Sequence, residues 1–180
     1  STLSSSSAAS DVYKRQRWQQ GDAAALPLDD ASVDLVFSNL AIQWCPDIGA
    51  VMQELARVLA PNGQARITTL LPGTLHEVAT AWQRPEALLQ TPDASTVQRA
   101  IARSGLRLTH HVREQRRFFY PDLNAVMASI KGVGAQVARP NARLTRQALA
   151  TAQVRYESLR TPQGLPVSYH CLTLQLESAR

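Results

Sequence analysis

Three features of the sequence predict an α/β fold with a mostly parallel sheet and an antiparallel last strand. The first is a strand–helix–strand order over residues 33–71, the βαβ unit that builds parallel sheets with right-handed crossovers. The second is the continued mixture of helical and strand patterns, without repeats, through residue 176. The third is the last strand, which follows a helical segment and not a simple βα step. Of the 180 residues, 44% are hydrophobic and 18% charged, the composition of a globular domain. No apolar run approaches the ~20 residues of a membrane span. Two cysteines, Cys45 and Cys171, make neither a disulfide framework nor a zinc site by themselves.

Each element has its own signal. Residues 1–16 carry a Ser/Ala run, lack the apolar core of a signal peptide and share no periodicity with the segment after them. They are expected to lie outside the fold, as a non-native or disordered segment, with the domain over 17–180. Arg17–Gln20 reads as the end of a short strand before the turn-like Gly21-Asp22. Val33–Ser38 is a β-branched and aromatic run, expected as a buried strand. From Asp47 to Ala60, the residues Ile48, Val51, Met52, Leu55, Val58 and Leu59 recur on one helical face, with Asp47 as N-cap. Pro61-Asn62-Gly63 is a turn before the strand Gln64–Leu71. A helix after Gly73 presents Leu75, Val78, Ala79 and Trp82. Another starts at Thr91-Pro92-Asp93, with proline at the first helical position, buries Val97, Ala100 and Ile101, and closes at Gly105. Leu106–Val112 is a strand that Arg116–Tyr120 pairs with or continues. Leu123, Val126, Met127 and Ile130 mark a short helix. Leu144–Leu159 is a longer one, with Leu149, Ala152, Tyr156 and Leu159 on one face. Val167–Leu176 is apolar on both faces, which suits a strand buried in the sheet.

The net charge of +5 is unevenly spread. Residues 18–100 hold nine acids and four arginines, whereas residues 101–180 hold twelve basic and four acidic residues. A basic second half suits an acidic protein, nucleic acid or a charged surface. Few aromatics interleave with the arginines; Phe118-Phe119-Tyr120 is the one such cluster, so a nucleic-acid-binding module is the weaker reading.

Ligands of open parallel sheets bind at the carboxyl ends of strands. Two loops qualify, Gly21-Asp22-Ala23 and Ser38–Trp44. The second offers amide, hydroxyl and indole groups; on spacing alone, Asn39 as a turn cap and Trp44 as core filling remain open. The four histidines (His76, His110, His111, His170) lie at no metal spacing, and no nucleophile–base pair stands out. Gly132-Val133-Gly134 follows a helix and not a strand, which argues against a dinucleotide fingerprint.

GDAAALPLDDASVDLVFSNLAIQW, followed by a helix and ELARVLAPNGQARITTL, resembles the middle of class I S-adenosylmethionine-dependent methyltransferases. The matching pieces are the acidic loop residue, the D-A-x-x-L-P run, the x-D-L-V strand and the R-V-L-x-P-x-G turn. SNLAIQWC, TTLLPGTLHEVATAW, SIKGVGA, LTRQAL and LPVSYHCL are similar to the malonyl-acyl-carrier-protein O-methyltransferase family of biotin synthesis. The resemblance runs from about residue 17 to residue 177. It implies a partial Rossmann-like class I methyltransferase fold, entered near strand 3, with strands 1 and 2 and the G-x-G-x-G turn absent. On that reading the polypeptide is a fragment that binds cofactor weakly, is inactive and is prone to aggregate.

The resemblance also implies a reaction: methyl transfer from S-adenosylmethionine to the free carboxylate of a malonyl thioester on an acidic acyl carrier protein. It implies that Asp22 and Ala23 meet the adenine, and that Asn39 and Leu40 line the methionine side. Gln43 and Trp44 would lie near the acyl group, under a helical lid over about 121–165. Arg113, Arg116, Arg117, Arg139, Arg143 and Arg146 would serve carrier docking. Arg143 or Lys131, one of two lysines in the chain, would pair with the malonyl carboxylate. A cytoplasmic, monomeric enzyme without metal, nucleic acid or membrane partners is expected. The alternative enzyme is another small-molecule methyltransferase, of the quinone or trans-aconitate type.

Overall fold

The computed structural model describes residues 17–85, 88–132 and 145–180. Ten elements occur in order: β1 Val33–Asn39, a 3₁₀ turn Ile42–Trp44, α1 Ile48–Val58, β2 Leu59–Leu70, α2 His76–Trp82, α3 Ala94–Ser104, β3 Arg107–Tyr120, α4 Leu123–Gly132, α5 Arg146–Glu157 and β4 Leu165–Glu177. The strands form one sheet in the order β1-β2-β4-β3. β1 and β2 run parallel, and β4 lies antiparallel between β2 and β3. The α/β architecture and the antiparallel last strand are therefore as expected.

Sequence periodicity accounts for α1. Its stripe of Val51, Met52, Leu55 and Val58 is buried, and the Asp47 carboxylate accepts from the amides of Gly49 at 2.8 Å and Ala50 at 3.1 Å. That satisfies two of the amides a helix start leaves unpaired. α3 packs beside α1 and buries Val97, Ala100 and Ile101. Its cap is Asp93, so Pro92 precedes the helix instead of opening it. The α1–α3 layer meets Ala65, Ile67, Leu172, Leu174 and Leu176 of the sheet in the larger core.

Several boundaries differ from expectation. Residues 17–20 form no strand. The turn at Pro61–Gly63 is a bulge within a longer β2, where the partner register jumps between Val33↔Leu59 and Leu35↔Gln64. Asn62 is left-handed there (φ 62°), and a Cβ on Gly63 would sit 2.8 Å from the Ala60 carbonyl oxygen. The backbone closes so tightly that only glycine fits. β3 is one continuous strand, so Arg116–Tyr120 continues the first half. On α5, Ala152 and Tyr156 are buried as expected, but Leu149 is 40% exposed.

The burial expected of β1 is not found: the strand lies at the sheet edge, with Leu35 60% and Phe37 76% exposed. Among the described residues nothing pairs with its outer edge.

β4 extends past the end of β2, and the segment 71–77 takes the place of a strand beside it. Leu71 N donates to His170 O and Leu75 N to Ser168 O, both at 2.8 Å. His170 N donates to Thr74 Oγ1 at 3.0 Å, and Ser168 N to Glu77 Oε2 at 3.0 Å. This geometry explains α2. Its cap, Leu75, is left-handed (φ 60°); Val78 is buried as expected and Leu75 and Trp82 pack against the same core, but Glu77 and Ala81 are buried beside them and Ala79 is not part of that core. A second core forms here from Val78, Ala81, Leu123, Val126, Ile130, Tyr156, Leu165 and Val167. The Tyr156 hydroxyl is buried but paired, donating to Pro166 O at 2.7 Å.

Candidate functional site

The two loops singled out by the sequence meet beside the end of β1. Ala23 and Ala24 of one loop, and Ile42 and Cys45 of the other, pack on the same core. Burial pushes the Cys45 thiol up, and the nearby Asp22 carboxylate adds to the effect. A protonated, half-buried thiol is a poor nucleophile.

The Asp22 loop is held from below. Asp22 Oδ1 accepts from the Ala24 amide at 2.9 Å, closing a short turn. Arg57 of α1 then clamps the following stretch, donating to Leu28 O at 2.8 Å, Asp30 Oδ1 at 2.6 Å and Leu26 O at 3.0 Å. It also chelates Glu54 through Nε at 3.0 Å and Nη2 at 2.6 Å. Glu54 in turn accepts from the Leu26 amide at 2.7 Å. The Arg57 hydrogen bond is the main reason the Glu54 carboxyl sits below its ordinary range. The grip of Arg57 on a loop 27 to 31 residues upstream, with Glu54 beside it, emerges only from the fold.

The loop after β1 is shaped by Leu40, whose φ of 51° puts a large side chain in the left-handed region. Its amide donates to Thr68 O at 2.8 Å. Gln43 is 5% exposed and turned inward. Its Nε2 donates to Leu40 O at 2.6 Å, and its Oε1 accepts from Thr69 Oγ1 at 3.3 Å. Both ends of the amide are thus engaged in holding the loop. Leu40 is 41% and Trp44 44% exposed, and Asn39 is exposed with no side-chain hydrogen bond among the described residues.

The remaining candidates lie elsewhere. Lys131 is exposed in the last turn of α4, and Arg143 and Arg139 fall outside the described residues. Arg113, Arg116 and Arg117 line the exposed outer strand β3, where Arg116 pairs with Glu114 at 2.9 Å and Arg117 Nε donates to Ser168 Oγ at 3.2 Å. Among the described residues no group of three or more His, Cys, Asp or Glu side chains could hold a metal, and no helix is long and apolar enough to cross a membrane.

Sequence patterning missed Glu77. It is 4% exposed, and its carboxylate takes both the amide and the hydroxyl of Ser168, the latter at 2.5 Å. Burial, with Glu77 as the next cause, raises the Tyr156 phenol well above its ordinary range.

The chain is similar in sequence and in fold to known methyltransferases. A family model described as a methyltransferase domain matches residues 3–67, a span that begins within the segment set aside at the start. The biotin biosynthesis bifunctional protein BioHC of Cellvibrio japonicus is 39% identical over 165 residues, covering 88% of this chain and 33% of that protein. A malonyl-[acyl-carrier protein] O-methyltransferase of Erwinia billingiae is 37% identical over 157 residues, covering 85% of this chain and 61% of the enzyme. The chain thus spans between a third and about three-fifths of the length of these two relatives. Among solved structures, the YcgJ protein of Bacillus subtilis superposes with a TM-score of 0.62 at 17% identity, covering 96% of this chain and 76% of that one. By sequence and by fold, the chain has the class I methyltransferase architecture and resembles the malonyl-[acyl-carrier protein] O-methyltransferases over most of its length.

Proposed function

We propose that the enzyme carrying this chain transfers a methyl group from S-adenosylmethionine to the free carboxylate of a malonyl thioester on an acyl carrier protein. One observation carries the reading. Identity of 37–39% with proteins named for this step and pathway extends over 85–88% of the chain. Matches that long cannot omit the helical region between β3 and β4, where methyltransferases with different acceptors have the most freedom to diverge. That region, about 121–165, is proposed as the lid over the acyl end.

The residues at the end of β1 suit the cofactor. Asp22 has one carboxylate oxygen free of the Ala24 bond, available to an exocyclic amine. Asn39 is exposed, and Leu40 offers an exposed apolar side chain beside it. Ala23, small and half-buried beside Asp22, leaves room for a flat ring. Gln43 acts by fixing Leu40, and Trp44 offers an indole face near the acceptor. When bound, the sulfonium supplies an activated methyl. An ionised carboxylate is already nucleophilic, so the protein's part is to align the two groups and exclude water, with no general base required. Lys131 or Arg143 would hold the malonyl carboxylate by charge. The basic strand β3 would speed encounter with an acidic carrier.

The test offers the purified enzyme labelled S-adenosylmethionine with three acceptors in competition: malonyl-carrier protein, trans-aconitate and a quinone. Label on the carrier supports the reading. Label on either small molecule, with none on the carrier, replaces it with the alternative methyltransferase.

A further inference from the structure

Between α2 and α5 lies an open cleft of about 300 Å³, lined by Ala81, Trp82, Arg84, Thr145, Gln147, Ala148, Thr151 and Arg155. Its chemistry is lopsided. Two arginines line it and, among the described residues, no Asp or Glu does. Arg57, Arg107, Arg116 and Arg160 each have an acidic partner; Arg84 and Arg155, like several other arginines, have none among the described residues. The hydroxyls are already engaged: Thr145 Oγ1 accepts from the Ala148 amide at 3.1 Å, and Thr151 Oγ1 donates to Gln147 O at 2.9 Å. The wall still offers donors, namely the two guanidiniums, the Gln147 amide and the Trp82 indole.

Backbone geometry sets the donors there. Gln83 ends α2 in the left-handed region (φ 50°), and the Arg84 amide turns back to donate to Ala79 O at 3.3 Å. Arg84 is thereby kept at the helix end, opposite α5. Arg155 sits one residue before Tyr156, the buried anchor of α5, and is itself half-buried. Two like charges facing one cleft repel unless an anion lies between them. Guanidiniums match phosphate oxygens with paired, charge-assisted hydrogen bonds. The apolar wall of Ala81, Ala148 and Trp82 suits a carbon chain attached to that anion.

We propose that this cleft is a subsite for a phosphate ester, and that its occupant is the phosphate of a pantetheine arm. The identity of the arm rests on the function proposed above; the phosphate chemistry rests on the cleft itself. Both walls belong to segments at the carboxyl end of the parallel strands: α2 follows β2, and α5 leads into the first residues of β4. An arm anchored by its phosphate here would run its thioester end toward the site beside β1.

The test is isothermal titration of the full chain with 4′-phosphopantetheine, pantetheine and inorganic phosphate, none of which requires methyl transfer. 4′-Phosphopantetheine is expected to bind about tenfold or more tighter than pantetheine, the difference a charge-assisted contact supplies. The preference should vanish in Arg84→Ala/Arg155→Ala and persist in part in Arg84→Lys/Arg155→Lys. Equal affinity for the phosphorylated and unphosphorylated arms in the unsubstituted protein would overturn the proposal, whatever the variants' folding. So would inorganic phosphate binding as tightly as 4′-phosphopantetheine, which would leave an anion site without an arm. Carrier methylation without this preference would remove only the subsite; the preference without carrier methylation would remove only the reaction.

Discussion

Glu77→Ala is expected to be among the most destabilising single substitutions in the chain. The carboxylate is 4% exposed and accepts from Ser168 N at 3.0 Å and Ser168 Oγ at 2.5 Å. β2 ends before reaching this part of β4, so no strand waits to replace it. Losing two hydrogen bonds to a charged acceptor, with the Ser168 amide left unpaired, costs about 3–5 kcal/mol. At a domain of this size that lowers Tm by roughly 6–20 °C. Ser168→Ala removes the hydroxyl's bonds to Glu77 and Arg117 and keeps the amide bond, a loss of about 1.5–3 kcal/mol. Because the two side chains share one interaction, the double variant should cost less than the sum of the singles. Thermal unfolding followed by circular dichroism reads all three. A Tm drop below about 2 °C for Glu77→Ala, well under 1 kcal/mol, would refute the view that this carboxylate replaces a missing strand.

The other expectations concern the site loops and a helix cap. Arg57→Ala removes the clamp on residues 26–30, so hydrogen exchange of the Leu26 amide should accelerate and S-adenosylmethionine affinity should fall, with Arg57→Lys restoring only part of each. Leu40 pays for its left-handed backbone, so Leu40→Val should cost roughly 1–2 kcal/mol more than Leu40→Asn in thermal unfolding, since β-branched side chains resist that region and asparagine tolerates it. The Thr96 amide, then Ser95, holds the Asp93 carboxyl down to about 2 from an ordinary 3.8. A depressed folded value means the native state binds fewer protons, so the cap's contribution is complete above about pH 4 and fades toward pH 2; Asp93→Ala should remove that part of the acid-unfolding curve.

The sequence made α1 and β4 legible for different physical reasons. α1 carries its own evidence, since a 3.6-residue stripe and a capping aspartate are local. β4 was legible because both faces are apolar, which only a strand flanked on both sides requires. The β-branched and aromatic run of β1 also reads as burial, yet Leu35 and Phe37 are exposed, because burial of a strand's face depends on what packs over it. α2 defeated the pattern at Leu75: one left-handed residue rotated the helix and put Glu77 inside, against a serine 91 positions away. Gln43 and Arg57 were illegible in the same way. Their partners are backbone groups of loops, and periodicity carries no information about those. Strand ends and motif resemblance single out the two loops that carry Asp22, Asn39 and Leu40, but the side-chain surroundings of these residues emerge only from the fold.

The central claim is most directly tested by mass spectrometry of malonyl-carrier protein after incubation with the enzyme and S-adenosylmethionine. The account predicts one added methyl, located on the free malonyl carboxylate as an ester. A carrier unchanged in mass, or a methyl placed anywhere other than that carboxylate, would contradict it.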